Sequence, residues 1–270
     1  MTPAAPPPRP SLSVCVIAHD EEETLGHCLR SVEFADECVV VVDAKSRDAT
    51  QELARAAGAR VVVHPYEGNV EQKNHALSLA RGDWVLALDA DEAVTAELQR
   101  ELLELLRAPP AGLDGAEVNR VTFHLGRWIR HGDFFPDWQL RLFRRARGRW
   151  AGTNPHGRVR VPGRVVRLAG ELEHRSYRDL ADQVARIQDF STIQARANHT
   201  QGRRCAARDM WLRPPARFLR AYLLKQGFRD GVPGFVIAAA TAFHVFLKYA
   251  KQWELERVKP PERGSGGGSA

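Results

Sequence analysis

Three carboxylates follow directly on an apolar stretch of the chain, in the sequence DWVLALDADE. They belong to Asp89, Asp91 and Glu92. A buried carboxylate without a partner is costly, so these groups must be solvated, paired with cationic side chains, or bound to a cation. Mg²⁺ and Mn²⁺ accept such oxygen ligands and are commonly shared between one or two carboxylates and substrate phosphates. The Asp-x-Asp spacing alone also fits a solvated loop in which one aspartate caps a turn.

Strand and helix patterns alternate in the region that must position these carboxylates. Short, apolar, β-branched runs predict strands at 13–19, 37–43, 60–64 and 83–89. Helices are predicted within the stretches 20–34, 48–58, 71–82 and 95–107. Because the strands are apolar throughout, the pattern indicates parallel strands that are buried on both faces of a sheet.

Polar residues stand at the carboxyl ends of three of these strands. They are the His19-Asp20-Glu21 stretch, Asp43, and the Asp89–Asp91 stretch. In open α/β sheets, ligands bind outside the carboxyl ends of the strands, so we expect these groups to rim a ligand crevice. The first strand is not followed by GxGxxG, and GxxxxGK[ST] occurs nowhere in the chain. Rossmann-type dinucleotide binding and P-loop chemistry therefore lack their motifs.

Bulk composition restricts the partners and the compartment. The chain has 270 residues, is 44% hydrophobic and carries a formal net charge of +6. A basic balance suits nucleic acid, anionic lipid or phosphorylated small substrates. The four cysteines include no CxxC pair, which is typical of reduced, buried thiols in a cytosolic protein. The proline-rich arm 1–10 has no signal-peptide core and is expected to be disordered, as is the tail 259–270.

The C-terminal quarter has the composition of an interfacial membrane anchor. From residue 203 onward, arginines alternate with aromatic and leucine residues, and an apolar run at 235–247 ends at Lys248. This run is shorter than the roughly 20 residues that span a bilayer. Basic, aromatic-bearing amphipathic helices lie in the headgroup region of anionic membranes, which is the arrangement we expect. These helices could instead pack on the preceding domain or on a second copy. No nucleic-acid-binding motif is present, so nucleic acid is not an expected partner.

Several segments, taken in order, resemble a known family. SVCVIAHDEEETLGHCLRSV, VVVVDAKSRDAT and EQKNHALSLARGDWVLALDADE resemble the opening strands, helices and DxD segment of family-2 glycosyltransferases. FPDWQLRLFRR at 135–145 and RFLRAYLLKQGFRDGVPGF at 217–235 are similar to blocks of the membrane-associated glucosyltransferases of lipopolysaccharide core assembly. The resemblance covers roughly residues 11 to 258.

The resemblance implies a fold and an activity. The fold is α/β of the GT-A type, with a mixed, mostly parallel sheet and C-terminal amphipathic helices. The expected domains are a catalytic domain at 11–200 and a membrane-associating helical region at 201–258. The implied reaction moves a sugar from a nucleotide-sugar, with a UDP-sugar expected, to a saccharide or lipid-linked glycan. It is metal-assisted, through Mg²⁺ or Mn²⁺, and inverting. The expected location is the inner, cytoplasmic face of the cell membrane.

The resemblance also implies roles for individual residues. Asp43 would bind the nucleotide base in a pocket that the loop from His19 to Glu21 also lines. Lys73 and Asn74 would lie near the nucleotide or its phosphates, Asp89 would approach the ribose or the metal, and Asp91 would ligate the metal. His174 is a candidate third metal ligand, and Arg141 could reach the diphosphate through its planar guanidinium.

An inverting transfer also needs a base that takes the proton of the attacking hydroxyl. The candidates, in order, are Asp137, His156 and Asp133. The lipopolysaccharide group is expected to carry His-Glu near the position of His156, but here Gly157 follows. A transferase that makes polyprenyl-phosphate sugars needs no strong base and is therefore the rival enzyme. The sequence is also compatible with a catalytically inactive nucleotide-sugar-binding scaffold and, less favourably, with a nucleotidyltransferase.

Overall fold

The computed structural model describes residues 9–152, 154 and 157–258, which form two compact units. Unit 1 comprises the described residues within Met1–Phe123 and Phe135–Ser176, and unit 2 those within His124–Phe134 and Tyr177–Ala270. The predicted tail, residues 1–8 of the predicted arm, and His156 lie outside the described residues. The domain limits expected from the sequence differ from these units, because 124–134 and 177–200 belong to unit 2.

Unit 1 alternates strands and helices in its first half and is built mainly of strands in its second half. Its strands are β1 (Leu12–Ala18), β2 (Glu37–Asp43), β3 (Arg60–His64), β4 (Trp84–Asp89), β5 (Glu92–Val94), β6 (Leu113–His124), β8 (Trp138–Arg144), β9 (Arg149–Ala151), β10 (Arg158–Arg160) and β11 (Arg164–His174). Its helices are α1 (Leu25–Ser31), α2 (Thr50–Ala56), α3 (Asn69–Leu79) and α4 (Ala96–Arg107).

Eight of these strands form one mixed sheet in the order β3-β2-β1-β4-β8-β6-β11-β5. The neighbours β3, β2, β1 and β4 are all parallel, as their apolar sequences predicted. Strand β8 is antiparallel to both β4 and β6, β11 is parallel to β6, and β5 is antiparallel to β11. Strands β9 and β10 form a separate antiparallel pair. The predicted α/β fold with a mixed, mostly parallel sheet is therefore confirmed in unit 1.

The observed helices lie within or close to the predicted stretches, and α1 differs most. It begins only at Leu25, because Asp20 adopts a left-handed backbone with φ of 52° and the chain turns before the helix. Helix α4 begins as predicted, with the Thr95 side chain accepting a hydrogen bond from the Leu98 N–H at 3.2 Å.

Two apolar clusters cover the two faces of the sheet. Leucines at helical spacing on α4, namely Leu98, Leu102 and Leu106, are fully buried with side chains of α1 and α2 in one cluster. The second cluster joins α3 to β9 and β10 through Val70, Trp150 and Val159. Buried apolar area of this kind stabilises the sheet by about 25 cal/mol per Å² and fixes the strand ends in place.

Unit 2 is mainly helical. It contains β7 (Arg127–Trp128), a 3₁₀ turn at Gly132–Phe134, α5 (Leu180–Thr200), α6 (Ala207–Leu219), a π-helical turn at Arg220–Leu224, a 3₁₀ turn at Gly227–Asp230 and α7 (Gly231–Arg257). Helix α7 packs along α5 and α6. The ammonium of Lys251 on α7 donates to the Gln188 carbonyl at 2.8 Å and to Ser191 Oγ at 2.7 Å, so polar contacts fix α7 to α5.

A buried carboxylate ties the inserted segment 124–134 to the C-terminal part of unit 2. The side chain of Asp230 is fully buried and accepts hydrogen bonds from the backbone N–H groups of Arg130 (3.0 Å) and His131 (2.8 Å). The guanidinium of Arg127 lies 3.2 Å away. Because a buried charge without partners is strongly destabilising, this arrangement requires both segments to be present together.

Candidate active site

The carboxyl ends of the parallel strands bring three of the predicted site segments together. Residue pairs Ala18–Val42 and Ile17–Asp89 are in register, so β1, β2 and β4 end at the same edge of the sheet. Asp43, at the end of β2, is 6% exposed, and its carboxylate lies 3.1 Å from Nδ1 of His19. The Lys45 N–H donates to the other Asp43 oxygen at 3.0 Å. This edge therefore presents an imidazole and an oriented carboxylate to a ligand.

The loop after β1 is fixed to the loop after β2. The carboxylate of Asp20 accepts from the Arg47 N–H at 2.7 Å and from Ser46 Oγ at 3.0 Å. The hydrogen bond from the Arg47 N–H is the main cause that lowers the pKa of Asp20 below its ordinary value. The Glu21 N–H donates to Thr50 Oγ1 at 2.8 Å, and the Glu21 carboxylate accepts from Thr24 Oγ1. The two loops are therefore preorganised around Asp43.

Asp89 is engaged by two cationic side chains. Its carboxylate lies 2.6 Å from Nζ of Lys73 and 2.9 Å from Nη2 of Arg141. Burial opposes ionisation of Asp89, but these two charges hold its pKa well below its ordinary value. Nζ of Lys73 also lies 4.4 Å from the centroid of the Trp150 ring, a cation–π contact. Asp89 therefore stays ionised and orients Lys73.

Glu92, the third carboxylate of the opening stretch, is the centre of a buried ionic network. It is fully buried and accepts from Arg120 Nη1 at 3.0 Å, from Arg141 Nη2, and from the Asp89 N–H at 3.0 Å. Arg120 also pairs with Asp137, whose oxygen lies 2.7 Å from Nη2. The network contains three carboxylates and three cations, so its formal charge is zero. Its members are Asp89, Glu92, Asp137, Lys73, Arg120 and Arg141.

The two arginines of this network are held fully charged. Burial opposes the charge of Arg120, yet Glu92 and Asp137 raise its pKa above the ordinary value. Burial likewise opposes the charge of Arg141, whose pKa is raised by Glu92 and Asp89. Nε of Arg141 is buried and has no hydrogen-bond partner among the residues that the structure describes.

Asp91 meets His174, although 82 residues separate them in the sequence. Nε2 of His174 lies 3.3 Å from a carboxylate oxygen of Asp91, and Nδ1 lies 3.2 Å from Thr122 Oγ1. Burial opposes ionisation of Asp91, but the hydrogen bond and charge of His174 lower its pKa below the ordinary value. The contact with Thr122 fixes the imidazole so that Nε2 is the nitrogen that faces Asp91.

Asp91 and His174 could hold a divalent cation only together with further ligands from substrate phosphates or water. In the described part of the chain, no group of three or more His, Cys, Asp and Glu side chains is arranged to hold a metal ion. Asp91 and His174 supply one carboxylate and one imidazole, while Asp89 is occupied by Lys73 and Arg141. Mg²⁺ and Mn²⁺ are often held by one or two protein ligands and by substrate phosphates and water, so the donor set is compatible with such an ion.

The remaining predicted residues occupy different places. Asn74 forms a pair of 3.0 Å hydrogen bonds with the backbone N–H and carbonyl of Trp150, so its amide fixes β9 to α3. Both oxygens of Asp137 are engaged, by Arg120 and by Gln139 Nε2 at 2.6 Å. Asp133 belongs to unit 2, where its buried carboxylate lies 2.8 Å from Arg217 and 3.0 Å from Lys225. The carboxylate of Asp133 is therefore engaged within unit 2.

Three contributors to the site were not identified from the sequence: Glu92, Arg120 and Trp150. Glu92 stood in the opening stretch, but the three residues of β5 are all buried and give no alternation that would reveal an inward carboxylate. The Arg120 guanidinium finds its partners 28 residues upstream and 17 downstream, at Glu92 and Asp137. Only the Trp150 position carries a local signal, a lone tryptophan between exposed arginines and small residues.

Comparison with known proteins identifies the family. The model of glycosyl transferase family 2 matches residues 13–163. The lipopolysaccharide core biosynthesis glycosyltransferase LpsC of Rhizobium meliloti is 31% identical over 259 residues, covering 93% of this chain and 95% of that protein. An uncharacterized glycosyltransferase of Rickettsia typhi, RT0209, is 30% identical and covers 90% and 87% of the two chains.

A solved structure is similar over a smaller region. Glucosyl-3-phosphoglycerate synthase from Mycobacterium tuberculosis, in complex with Mn²⁺, UDP and phosphoglyceric acid, is 26% identical with a TM-score of 0.35. The match covers 43% of this chain and 44% of that one. The family model and the full-length relatives, together with the mixed sheet and its polar strand ends, confirm the resemblance. The chain therefore belongs to glycosyl transferase family 2 and is a glycosyltransferase.

Proposed function

We propose that the chain transfers a sugar from a UDP-sugar to a saccharide or lipid-linked glycan, with inversion and with the help of Mg²⁺ or Mn²⁺. The observation that carries this proposal is a pair of carboxylate–imidazole contacts in unit 1. Asp43 contacts His19, and Asp91 contacts His174. The first pair suits a nucleotide base and the second suits a diphosphate-bound cation. The relative named for lipopolysaccharide core biosynthesis supports a glycan acceptor.

Donor binding is assigned to the first pair. The Asp43 carboxylate is oriented by the Lys45 N–H and faces His19, so it can accept the ring N–H of a uracil. The loop from His19 to Glu21 is fixed to the loop after β2 by hydrogen bonds at Asp20 and Glu21, and it lies beside the same carboxylate. Preorganised loops lose little conformational entropy on binding, which favours affinity.

The diphosphate is assigned to the second pair and to the nearby cations. A divalent cation held by Asp91 and His174 would neutralise charge on the departing nucleoside diphosphate. The Lys73 ammonium and the Arg141 guanidinium add positive charge, and Asp89 orients both side chains. Asn74 keeps α3, which carries Lys73, in place against β9.

Asp137 is the proposed base among the three candidates. An acceptor hydroxyl attacks the anomeric carbon, the bond from that carbon to the diphosphate oxygen breaks, and the hydroxyl proton passes to the carboxylate. Asp137 is 32% exposed at its side chain, whereas Asp133 is buried in two ion pairs of unit 2. His156 lies outside the described residues.

A second function is favoured by the surroundings of Asp137. Both oxygens of its carboxylate already accept hydrogen bonds, one from Arg120 and the other from Gln139. A lipid phosphate needs no strong base to attack, so transfer to a polyprenyl phosphate is the second candidate. Incubation with radiolabelled donor and either polyprenyl phosphate or a membrane glycolipid extract separates the two, because only one acceptor becomes labelled.

Unit 2 is proposed to hold the enzyme at the inner face of the cell membrane. Trp211, Leu224 and Val232 are 76%, 79% and 75% exposed, on α6, the π-helical turn and α7. The surrounding chain from 203 to 229 contains eight arginines and lysines against one acid, Asp209. Apolar side chains among cationic ones match the headgroup region of an anionic bilayer.

One helical segment of the described chain, Gly227–Arg257, is long and apolar enough to cross a membrane by length and composition. Two contacts favour a peripheral position instead. His244 of α7 hydrogen bonds to Gln194 of α5 at 3.3 Å, and Lys251 bonds to the Gln188 carbonyl. A bilayer-spanning α7 would therefore carry α5 with it, including charged Arg186 and Asp189, which is costly in hydrocarbon.

The proposed donor specificity is tested by thermal unfolding. The melting temperature is recorded with UDP, GDP, ADP and CMP, each with and without Mn²⁺. A ligand present at about 100 times its Kd adds roughly 2.7 kcal/mol to the stability of the native state. We expect a shift with UDP that increases with Mn²⁺. A shift with none of the nucleotides would contradict the proposed donor and favour an inactive scaffold.

A further inference from the structure

One stretch of unit 1 is rich in arginines, and the proposed chemistry uses only Arg141 among them. Residues 138–170 contain nine arginines and neither aspartate nor glutamate. Several of these arginines have partners: Arg141 is in the buried network, Arg147 pairs with Asp114 at 2.7 Å, and Arg167 pairs with Glu117 at 3.0 Å. The arginines of β9 and β10 differ from them.

Three arginines of β9 and β10 share one exposed face. Arg149 stands directly opposite Arg160, and Arg158 lies opposite Ala151. Successive side chains of a strand point to opposite faces, so Arg149, Arg158 and Arg160 lie together on one face. All three are exposed, while Trp150 and Val159 are buried on the other face. We call these three residues the arginine face.

The arginine face lacks internal charge compensation. Within the described residues 9–152, 154 and 157–258, none of its three guanidiniums forms an ion pair. The nearby Arg147 and Arg167, in contrast, each pair with a carboxylate. Like charges directly opposite each other on antiparallel strands are destabilising. The Arg149–Arg160 pair therefore destabilises the short strands β9 and β10 through charge repulsion. A bound anion would remove that repulsion. Guanidinium groups bind phosphate oxygens in a bidentate way.

The opposite face of the same strands is attached to the donor side of the site. The Asn74 side chain bonds to both backbone groups of Trp150, and Lys73, the neighbouring residue, lies over the Trp150 ring. Asn154 adds a second attachment, since its side chain accepts from the Val70 N–H at 2.9 Å and donates to Glu71 at 2.7 Å. The strands that carry the arginine face therefore also contact Lys73, which pairs with Asp89.

We propose that the arginine face binds phosphate groups carried by the acceptor of the sugar. The inference rests on the proposed transfer to a glycan or glycolipid, and it defines the acceptor as an anionic one. Its phosphates occupy a site separate from that of the donor diphosphate, which Asp91, His174 and Lys73 serve. Binding there would raise the affinity for a phosphorylated acceptor over an uncharged sugar.

The test compares two triple variants of the full chain. R149Q/R158Q/R160Q removes the arginine face, and R55Q/R100Q/R107Q removes the same charge from exposed positions on α2 and α4. Binding of inorganic pyrophosphate is measured by calorimetry with UDP in excess, so that the donor site is filled, and without added divalent cation, because Mn²⁺ would itself bind pyrophosphate. UDP affinity is measured separately for each protein.

The expected result is a loss of pyrophosphate affinity of at least about tenfold in the arginine-face variant, because charge-assisted hydrogen bonds are lost. The control variant should change by less than about threefold, through general electrostatics alone. The arginine-face variant should melt at the same temperature as the parent or higher, since a like-charge pair is removed. Equal losses in both variants would overturn the proposal.

A vesicle arm distinguishes a discrete phosphate ligand from the membrane surface. Sedimentation with phosphatidylglycerol vesicles should be the same for the two triple variants. Reduced sedimentation of the arginine-face variant with unchanged pyrophosphate affinity would assign this face to bulk lipid headgroups and overturn the acceptor site. If UDP fails to bind any of the proteins, the proposed donor is wrong, while the pyrophosphate comparison still decides whether the arginine face binds phosphate.

Discussion

Replacement of Glu92 by glutamine tests whether the buried ionic network holds unit 1 together. Glu92 is fully buried, and its carboxylate lies 3.0 Å from Arg120 Nη1 and in contact with Arg141. The substitution leaves three cations against two carboxylates. Glutamine also replaces one carboxylate oxygen by an amide N–H₂ group, which cannot accept a hydrogen bond. The donor that now bonds to that oxygen is an arginine or the Asp89 N–H. At least one buried donor therefore loses its acceptor.

The magnitude follows from the distance and the burial. At 3.0 Å and an effective dielectric constant of about 20, the gross attraction between Glu92 and Arg120 is on the order of 5 kcal/mol. Removing one partner of a buried pair typically costs about 3–5 kcal/mol. Because the Arg120 side chain is 21% exposed and partly screened, we expect the lower end, about 3 kcal/mol. That loss corresponds to a fall in melting temperature of roughly 6–12 °C.

The matched control is Glu117→Gln. Glu117 pairs with Arg167 at the same 3.0 Å distance, but the two side chains are 32% and 62% exposed. An exposed pair contributes about 0–1 kcal/mol, so the control should lose less than about 1 kcal/mol. Both variants and the parent are unfolded in urea and followed by far-UV circular dichroism, with the free energy of unfolding taken at equal slopes.

A double variant separates charge balance from the loss of one contact. Glu92→Gln combined with Arg120→Gln restores an equal number of carboxylates and cations, two of each. The two losses should therefore be non-additive, with a coupling of about 0.5–3 kcal/mol for residues of one network. A loss for Glu92→Gln as small as that of the Glu117 control, or two substitutions that add within about 0.5 kcal/mol, would contradict a stabilising role of the buried network.

Three further predictions concern ligand, membrane and pH. Asp91→Asn should keep the UDP-induced rise in melting temperature but lose the additional rise with Mn²⁺, because a neutral amide is a weaker ligand; an unchanged Mn²⁺ response in thermal unfolding would exclude Asp91 as a ligand. Leu224→Asp should reduce sedimentation with phosphatidylglycerol vesicles at least about threefold, whereas Leu53→Asp, at an exposed position of unit 1, should have no effect. Burial raises the pKa of Cys15 and of Cys38 from 9.0 to about 12, so the folded state keeps protons that the unfolded state releases near pH 9. Stability should therefore fall as pH rises from 9 towards 12, and a Cys15→Ala/Cys38→Ala variant should show a shallower slope in urea unfolding at pH 9–11.

The parallel half of the sheet could be predicted because its strands are apolar throughout. Each strand is followed by polar residues at its carboxyl end, and parallel strands bring those ends to one edge. The contact between His19 and Asp43 follows from this rule. Strand β3 is apolar in sequence but is less buried than the other three strands, since Val63 is 45% exposed. It nevertheless forms, at the edge of the sheet.

The partners within the ionic network could not be predicted, because charge pairing depends on distances that the sequence does not contain. The chain has 39 lysines and arginines and 33 aspartates and glutamates, so any carboxylate has many possible partners. The pairing of Glu92 with Arg120 requires β5, β6 and β11 to stand side by side at the far end of the sheet. That arrangement is set by long-range strand pairing.

Asp133 and Asp137 show a second limit of sequence reasoning. They are four residues apart, and both were candidates for the same role. The chain enters unit 2 at His124 and returns to unit 1 at Phe135, so the two aspartates belong to different units. The short 3₁₀ turn at Gly132–Phe134 gives no compositional sign of this change.

The attachment of Asp230 to residues 127–131 also restricts how such proteins can exchange parts during evolution. Recombination between relatives at a single crossover near residue 177 would transfer the C-terminal helices without the inserted segment that completes their buried charge. Asp230 would then face backbone N–H groups and an arginine from a different parent. A chimera that takes 124–134 and 177–258 from the same parent keeps this buried charge together with its partners, although 42 residues separate the two stretches.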